Sequence, residues 1–133
     1  MHFDPTPLAD ALERLKEGLA RHLSVPDDEQ VRDGLIQRFE FTYDLAPRIL
    51  SRALAALSPT PDQIDRMSFP TLIRTAFEQG LVKAGWPAWD DFRDMRNTTS
   101  HTYNLEKALE VVANLPPFVD EVSFIVAQLS QER

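Results

Sequence analysis

The chain has 133 residues, of which 43% are hydrophobic, and this is enough to build one core without metals or disulfides. It contains no cysteine, which excludes a disulfide framework and a cysteine-based metal site. The formal net charge of −7 argues against a protein that coats nucleic acid with a broad basic surface, because phosphate contacts need clustered cations. A contact with nucleic acid would therefore have to be local.

No segment of the sequence is typical of a membrane protein or of a secreted protein. The N-terminal MHFDPTPLAD has neither a basic region nor a long apolar run, and nowhere do about 18 apolar residues follow one another. We therefore expect a soluble, cytoplasmic protein with one domain over residues 1–133, and no association with a membrane.

The first half of the chain has the hydrophobic spacing of helices. Leucines recur at helical intervals from Leu8 to Leu23. A longer segment, Val31 to Leu57, is apolar on more than one face and so needs a second surface to bury against. That surface could belong to the same bundle or to a second subunit. Pro47 should kink or break this helix after Ala46, because it removes one helical hydrogen bond.

A turn-rich connection, SPTPDQIDRMS, separates the two halves of the chain. Helical spacing resumes at Phe69, for which Ser68 is the predicted N-cap and Gly80 or Gly85 the predicted stop.

The last third predicts further helices. Asn104 is the predicted N-cap of one helix, and the Pro116-Pro117 pair separates it from the next. Aromatic residues at intervals of three form a stripe that is typical of a core: Trp86, Trp89 and Phe92. Since no segment alternates with a period of two, the predicted fold is all-α, most simply an antiparallel bundle of the four-helix type.

The stretch DMRNTTSHTYN, residues 94–104, lies between two of these predicted helices. Arg96 and His101 would point about 140° apart in an unbroken helix and could not share a target. The four residues between them are poor helix formers whose side chains compete for the backbone, so we expect the helix to loosen and to bring both groups to one cleft. His101 and Tyr103 would then share one side of an extended step.

A purely structural interpretation stands beside this one. Arg96 would pair with Asp94 or Glu106, and His101 would be an ordinary surface side chain. By chance, an Arg and a His at this spacing occur in about one shuffled sequence in four, but a Tyr two residues after the His lowers this to below about one in a hundred. The combination, rather than the pair, therefore indicates function.

The segment RNTTSHTY resembles the Arg-x4-His-x-Tyr motif of the HEPN superfamily, in particular its HepT-like branch, whose members are also called nucleotidyltransferase substrate-binding proteins. GLIQRFEFTYDLA and TLIRTAFEQGLV also resemble that branch, so the resemblance extends from about Gly34 to Tyr103. It departs at Pro47, where the branch usually has an aromatic residue. The resemblance implies an α-helical bundle that forms a homodimer.

For function, the resemblance implies two forms of protein. Some members of the branch are ribonuclease toxins, each encoded with a small nucleotidyltransferase that neutralises the toxin by attaching AMP to the motif tyrosine. Others are described only as the partner or substrate-binding subunit of that transferase. Arg96 and His101 match the nuclease pair, Asn97 matches the polar position after the Arg, and Tyr103 matches the modified tyrosine.

These residue types suit cleavage of RNA without a metal or cofactor. When the 2′-OH attacks the adjacent phosphorus, the reaction needs a proton acceptor, a proton donor and a cation for the phosphorane; His101 can supply the first two and Arg96 the third. One chain has one motif histidine, so a separate base and acid require two motifs in one cleft, as a two-fold dimer would provide.

The preferred hypothesis is a HepT-like ribonuclease subunit of a toxin-antitoxin pair, with RNA, tRNA above all, as its substrate. One alternative is a non-catalytic subunit that binds the transferase or presents its substrate, and the negative net charge of the chain favours this alternative. The other is a purely structural helical module. The sequence leaves open which RNA is cut and whether dimers associate further.

Overall fold

The computed structural model describes residues 4–131, and these residues form seven α-helices and one short 3-10 turn. The elements are α1 Thr6–Ser24, α2 Glu29–Leu57, α3 Pro61–Asp65, α4 Phe69–Glu78, α5 Trp86–Thr98, the 3-10 turn Thr99–His101, α6 Leu105–Ala113 and α7 Leu115–Leu129. No strand occurs within this range, so the predicted all-α class is confirmed. None of the described helices is long and apolar enough to cross a membrane.

The long helix α2 is the centre of the molecule and contacts each of the other six helices. Its buried side chains meet the aromatic residues of α5 and α7. The rings of Phe39 and Phe118 lie edge to face with centroids 5.0 Å apart, and Phe92 packs against Phe118 at 5.2 Å. Trp89 is fully buried and Trp86 only half-buried, so the predicted aromatic stripe is a core stripe whose first member lies at its edge.

The predicted helix ends are largely confirmed. The side chain of Ser68 accepts a hydrogen bond from the N–H of Thr71 at 3.4 Å, and Asn104 caps α6 in the same way. Gly80 follows α4 with a φ of 75°, a conformation that favours glycine, so it is the stop. Pro116 lies in the first turn of α7, where its missing N–H costs no helical hydrogen bond.

The chain path differs from the prediction at two places, of which the first is the predicted break at Pro47. Helix α2 runs unbroken for 29 residues through Pro47, because the proline removes one hydrogen bond while buried residues on both sides, such as Tyr43 and Leu50, hold the helix to the core. The connection after α2 also contains the short helix α3, which begins at Pro61, a residue suited to a first turn.

The second apolar face of α2 is mostly covered within the chain. Ile36 and Tyr43, which lie off the main stripe, are both buried. Phe41 is different, since 62% of it is exposed. The predicted stripes are also shorter than expected, because the terminal residues Leu23 and Leu57 are exposed.

A buried carboxylate joins α7 to the loop before α5. Glu121 is 3% exposed, and its oxygens accept hydrogen bonds from the N–H groups of Lys83 and Ala84 at 3.1 Å. The indole N–H of Trp89 donates to the same carboxylate at 2.7 Å. Glu121 therefore fixes the position at which α5 begins.

Replacement of Glu121 tests this arrangement. Glu121→Ala should lower the free energy of unfolding by about 3 kcal/mol, because it leaves buried N–H groups without an acceptor. Urea unfolding followed by circular dichroism measures the change. The neighbouring Asp120 is exposed, and Asp120→Ala should change stability by less than about 0.5 kcal/mol. Equal effects of the two substitutions would contradict this role.

Candidate functional site

The motif lies at the junction of α5 and α6, where threonine side chains end the α-helix. The hydroxyl of Thr98 donates to the carbonyl of Asp94 at 2.9 Å. The hydroxyl of Thr102 donates to the carbonyl of Thr99 at 3.0 Å. Such bonds compete with the helical pattern of the backbone. The α-helix ends at Thr98 and the chain tightens into the 3-10 turn. The regular α-helix thus ends inside the motif as expected, but it does so by tightening and not by loosening.

The predicted extended step after His101 is wrong. Thr102 has φ −79° and ψ 1°, and the N–H of Asn104 donates to the carbonyl of His101 at 3.1 Å, which closes a turn. The reason is local: Asn104 must cap α6 only three residues after His101. His101 and Tyr103 therefore lie on a tight turn, and the alternation of an extended chain does not apply to them.

Arg96 contacts two carboxylates of α2. Its Nε and Nη2 donate to the two oxygens of Asp44 at 3.0 Å and 3.1 Å, and its Nη1 donates to Oε2 of Glu40 at 2.8 Å. The expected structural partners, Asp94 and Glu106, do not pair with it in residues 4–131. Arg96 is thus tied to the central helix.

Thr99 completes this cluster. Its hydroxyl accepts a hydrogen bond from Nη1 of Arg96 at 2.9 Å and lies 3.0 Å from Oε2 of Glu40. Thr99 is 8% exposed, so this side of the cluster is buried. We call Glu40, Asp44, Arg96 and Thr99 the arginine clamp.

The electrostatics of the arginine clamp are unusual for an anion site. Glu40 and Asp44 are four residues apart and so project from the same side of α2. Hydrogen bonding to Asp44 raises the pKa of Arg96 above its ordinary value, so the guanidinium stays charged. One cation faces two carboxylates, which gives the group a formal charge of −1.

The other predicted site residues lie on the surface beside the clamp. His101, Asn97 and Tyr103 are all exposed, with Tyr103 at 90%. Their side chains make no hydrogen bond or ion pair with any residue between positions 4 and 131. The structure therefore joins Arg96 to α2, and no bond within one chain joins Arg96 to His101 or Tyr103.

Glu40 and Asp44 were not among the predicted site residues. The available signal was a pair of acids one helical turn apart in RFEFTYDLA, within a segment otherwise rich in apolar residues. Nothing in that spacing identifies the cation they contact, since Arg96 is more than fifty positions further along the chain.

Exposed apolar side chains lie close in sequence to the motif or to the clamp. Phe41 follows Glu40 on α2, and Leu105 and Leu109 lie one turn apart on α6, two and six residues after Tyr103. The helices α2 and α6 contact each other. We call Phe41, Leu105 and Leu109 the motif-side apolar residues.

A family model described as nucleotidyltransferase substrate binding protein like matches residues 4–131. The chain belongs to this family. The match covers the helices and the motif together, so the family resemblance of the motif region is confirmed.

Two matches come from Haemophilus influenzae, one to a protein sequence and the other to a solved structure. One, named probable ribonuclease HepT, is 41% identical over 98 residues, which are 74% of this chain and 66% of the relative. The alignment thus spans just under two thirds of the relative. The other is a solved structure described as revealing the fold of a substrate binding domain of a nucleotidyltransferase. It is 33% identical, covers 96% of this chain and 100% of its own, and superposes with a TM-score of 0.87.

Proposed function

We propose that the protein is a HepT-like ribonuclease that cuts RNA without a metal and forms a toxin-antitoxin pair with a small nucleotidyltransferase. The observation that carries this proposal is the placement of Arg96, His101 and Tyr103 on one exposed helix junction, with Arg96 held by two carboxylates. A relative named probable ribonuclease HepT supports it.

Each residue has a role in this reaction. Arg96 stabilises the negative charge that develops on the phosphorane, and its hydrogen bonds to α2 hold the guanidinium in one orientation before the RNA arrives. His101 carries the proton between the 2′-OH and the leaving oxygen. Asn97 lies one residue after Arg96 and is exposed, so it can donate to a phosphate or base of the same RNA.

A separate base and acid for this proton transfer require two histidines, and we propose that a homodimer supplies them. The motif-side apolar residues are the surface on which a second copy would pack, because they are exposed beside the motif and would bring two motifs together. A two-fold axis places the same residues on both sides of such an interface.

A non-catalytic role remains the second candidate, and a specific observation favours it. The clamp around Arg96 has a formal charge of −1, which opposes the binding of a phosphate. The similar solved structure is described as a substrate binding domain of a nucleotidyltransferase. In that role the protein would present a substrate to its partner without cutting RNA.

Replacing the two residues of the catalytic pair separates these candidates. Arg96→Ala and His101→Ala should each remain folded but cut bulk tRNA at least about a hundredfold more slowly, in buffer with a metal chelator. Gel electrophoresis measures the rate. Arg93 is one turn earlier on α5 and pairs with Asp90, so Arg93→Ala should retain most of the activity. Undiminished cleavage by either motif variant would exclude this site, and no cleavage by wild type would favour the non-catalytic role.

Attachment of AMP should occur on Tyr103. With the partner transferase, ATP and Mg²⁺, wild type should gain the mass of one or more AMP groups and lose activity, because the added phosphate would compete with RNA for Arg96. Tyr103→Phe should keep its activity and resist modification. The other tyrosine, Tyr43, is buried, and burial raises its pKa to about 12. Intact-mass spectrometry decides: a gain that persists in Tyr103→Phe would place the acceptor elsewhere.

The dimer should depend on the motif-side apolar residues. Phe41→Glu puts a charge on that surface and should convert a dimer at micromolar concentration into a monomer without unfolding it. Light scattering measures the mass. Leu23 is exposed at the end of α1, so Leu23→Glu should leave the dimer intact. A wild-type monomer would remove the composite active site.

A further inference from the structure

We propose that the carboxylate of Asp44 occupies the place of an RNA phosphate on Arg96, so that RNA must displace Asp44 before the guanidinium can bind it. This inference rests on the proposed function for the identity of the anion. The structural observations behind it come from the arginine clamp alone.

The donors of Arg96 are almost fully used within the chain. Four N–H···O contacts are present, two to Asp44, one to Glu40 and one to Thr99. A guanidinium has about five N–H groups, which leaves one free. Because a phosphate is best bound by two parallel N–H groups, one internal acceptor has to leave.

Asp44 holds the edge that a phosphate would take. Its two oxygens accept from Nε and Nη2 at 3.0 Å and 3.1 Å, which is the paired arrangement by which Arg recognises carboxylates and phosphates. The carboxylate therefore imitates the two phosphate oxygens in number and charge.

Glu40 is not the partner that leaves. One of its oxygens accepts from Arg96 Nη1 at 2.8 Å and also lies 3.0 Å from the buried hydroxyl of Thr99. Its side chain is 32% exposed, against 48% for Asp44. Glu40 and Thr99 thus form the inner anchor of Arg96, and Asp44 forms the outer, exchangeable contact.

The exchange is energetically accessible because the outer contact faces water. A two-point Arg–carboxylate pair is stronger than an ordinary surface ion pair, but water still screens this half-exposed contact, so a phosphate that makes further contacts can replace it. After a phosphate replaces Asp44 on Arg96, the displaced carboxylate stays nearby and repels the phosphate. Asp44 therefore competes with RNA for Arg96. Removing the charge of Asp44 should therefore strengthen RNA binding. This is the opposite of what is usually expected when a partner of a binding-site arginine is replaced.

The experiment measures binding without cleavage. The probe is a fluorescent single-stranded RNA with 2′-O-methyl groups, which lacks the attacking hydroxyl, and its anisotropy is followed at a fixed ionic strength of about 0.15 M, where the Debye length is about 8 Å. Asp44→Asn should bind it about five- to tenfold more tightly than wild type, as expected for removing one like charge at contact distance. The gain should vanish in the double variant Asp44→Asn, Arg96→Gln.

A matched control addresses the change in total charge. Asp33 is exposed on the same helix, about 16 Å from Asp44 along the axis. Asp33→Asn should change the affinity by less than about twofold, because water and salt screen charges at that distance. An unchanged thermal midpoint checks that Asp44→Asn is folded.

Each result distinguishes this inference from the proposed function. Equal affinity of Asp44→Asn and wild type, or a gain that survives loss of Arg96, would overturn the exchange. Cleavage of unmodified RNA is assayed separately. If no variant cuts RNA while Asp44→Asn still binds more tightly through Arg96, the exchange stands and the ribonuclease role fails.

Discussion

The ion pairs between Arg96 and α2 join the motif to the central helix, and the geometry of the site depends on them. Glu40 and Asp44 each follow a buried aromatic residue, Phe39 and Tyr43. Burial of these two rings in the aromatic cluster fixes the rotation of α2 about its axis. That rotation in turn fixes the direction in which both acids project. The core therefore orients a cluster that is itself half-exposed.

The motif combines this rigid anchor with a local change in backbone geometry. Thr98 and Thr102 bond to nearby carbonyls, and the α-helix gives way to a 3-10 turn. Arg96 lies before this change and is held by α2. His101 and Tyr103 lie after it and are exposed. The junction thus separates a fixed cation from two accessible groups. Under the proposed function, this arrangement suits a histidine that reaches the substrate and a tyrosine that accepts AMP.

Local signals predicted the fold well, because helices and their caps depend on neighbours in sequence. Leu8 and Phe69 mark the helices α1 and α4, which form as expected, and Ser68 caps α4 while Asn104 caps α6. The two carboxylates that Arg96 contacts are 52 and 56 positions away in the sequence, so only the packed structure could identify them. The unbroken path through Pro47 has the same cause, since tertiary burial outweighs one lost hydrogen bond.

Negative charge predominates both in the whole chain and in the arginine clamp. The chain carries a formal charge of −7, and the arginine clamp carries −1 around its one cation. Both repel a phosphate, so a single weak contact would not hold RNA at Arg96. Under the proposed function, the RNA must gain affinity from further contacts. A second copy that packs on the motif-side apolar residues is the natural source of these contacts. A strand that makes only the Arg96 contact would fail to displace Asp44, and the clamp would then favour RNA that fits the whole site over RNA that merely carries charge.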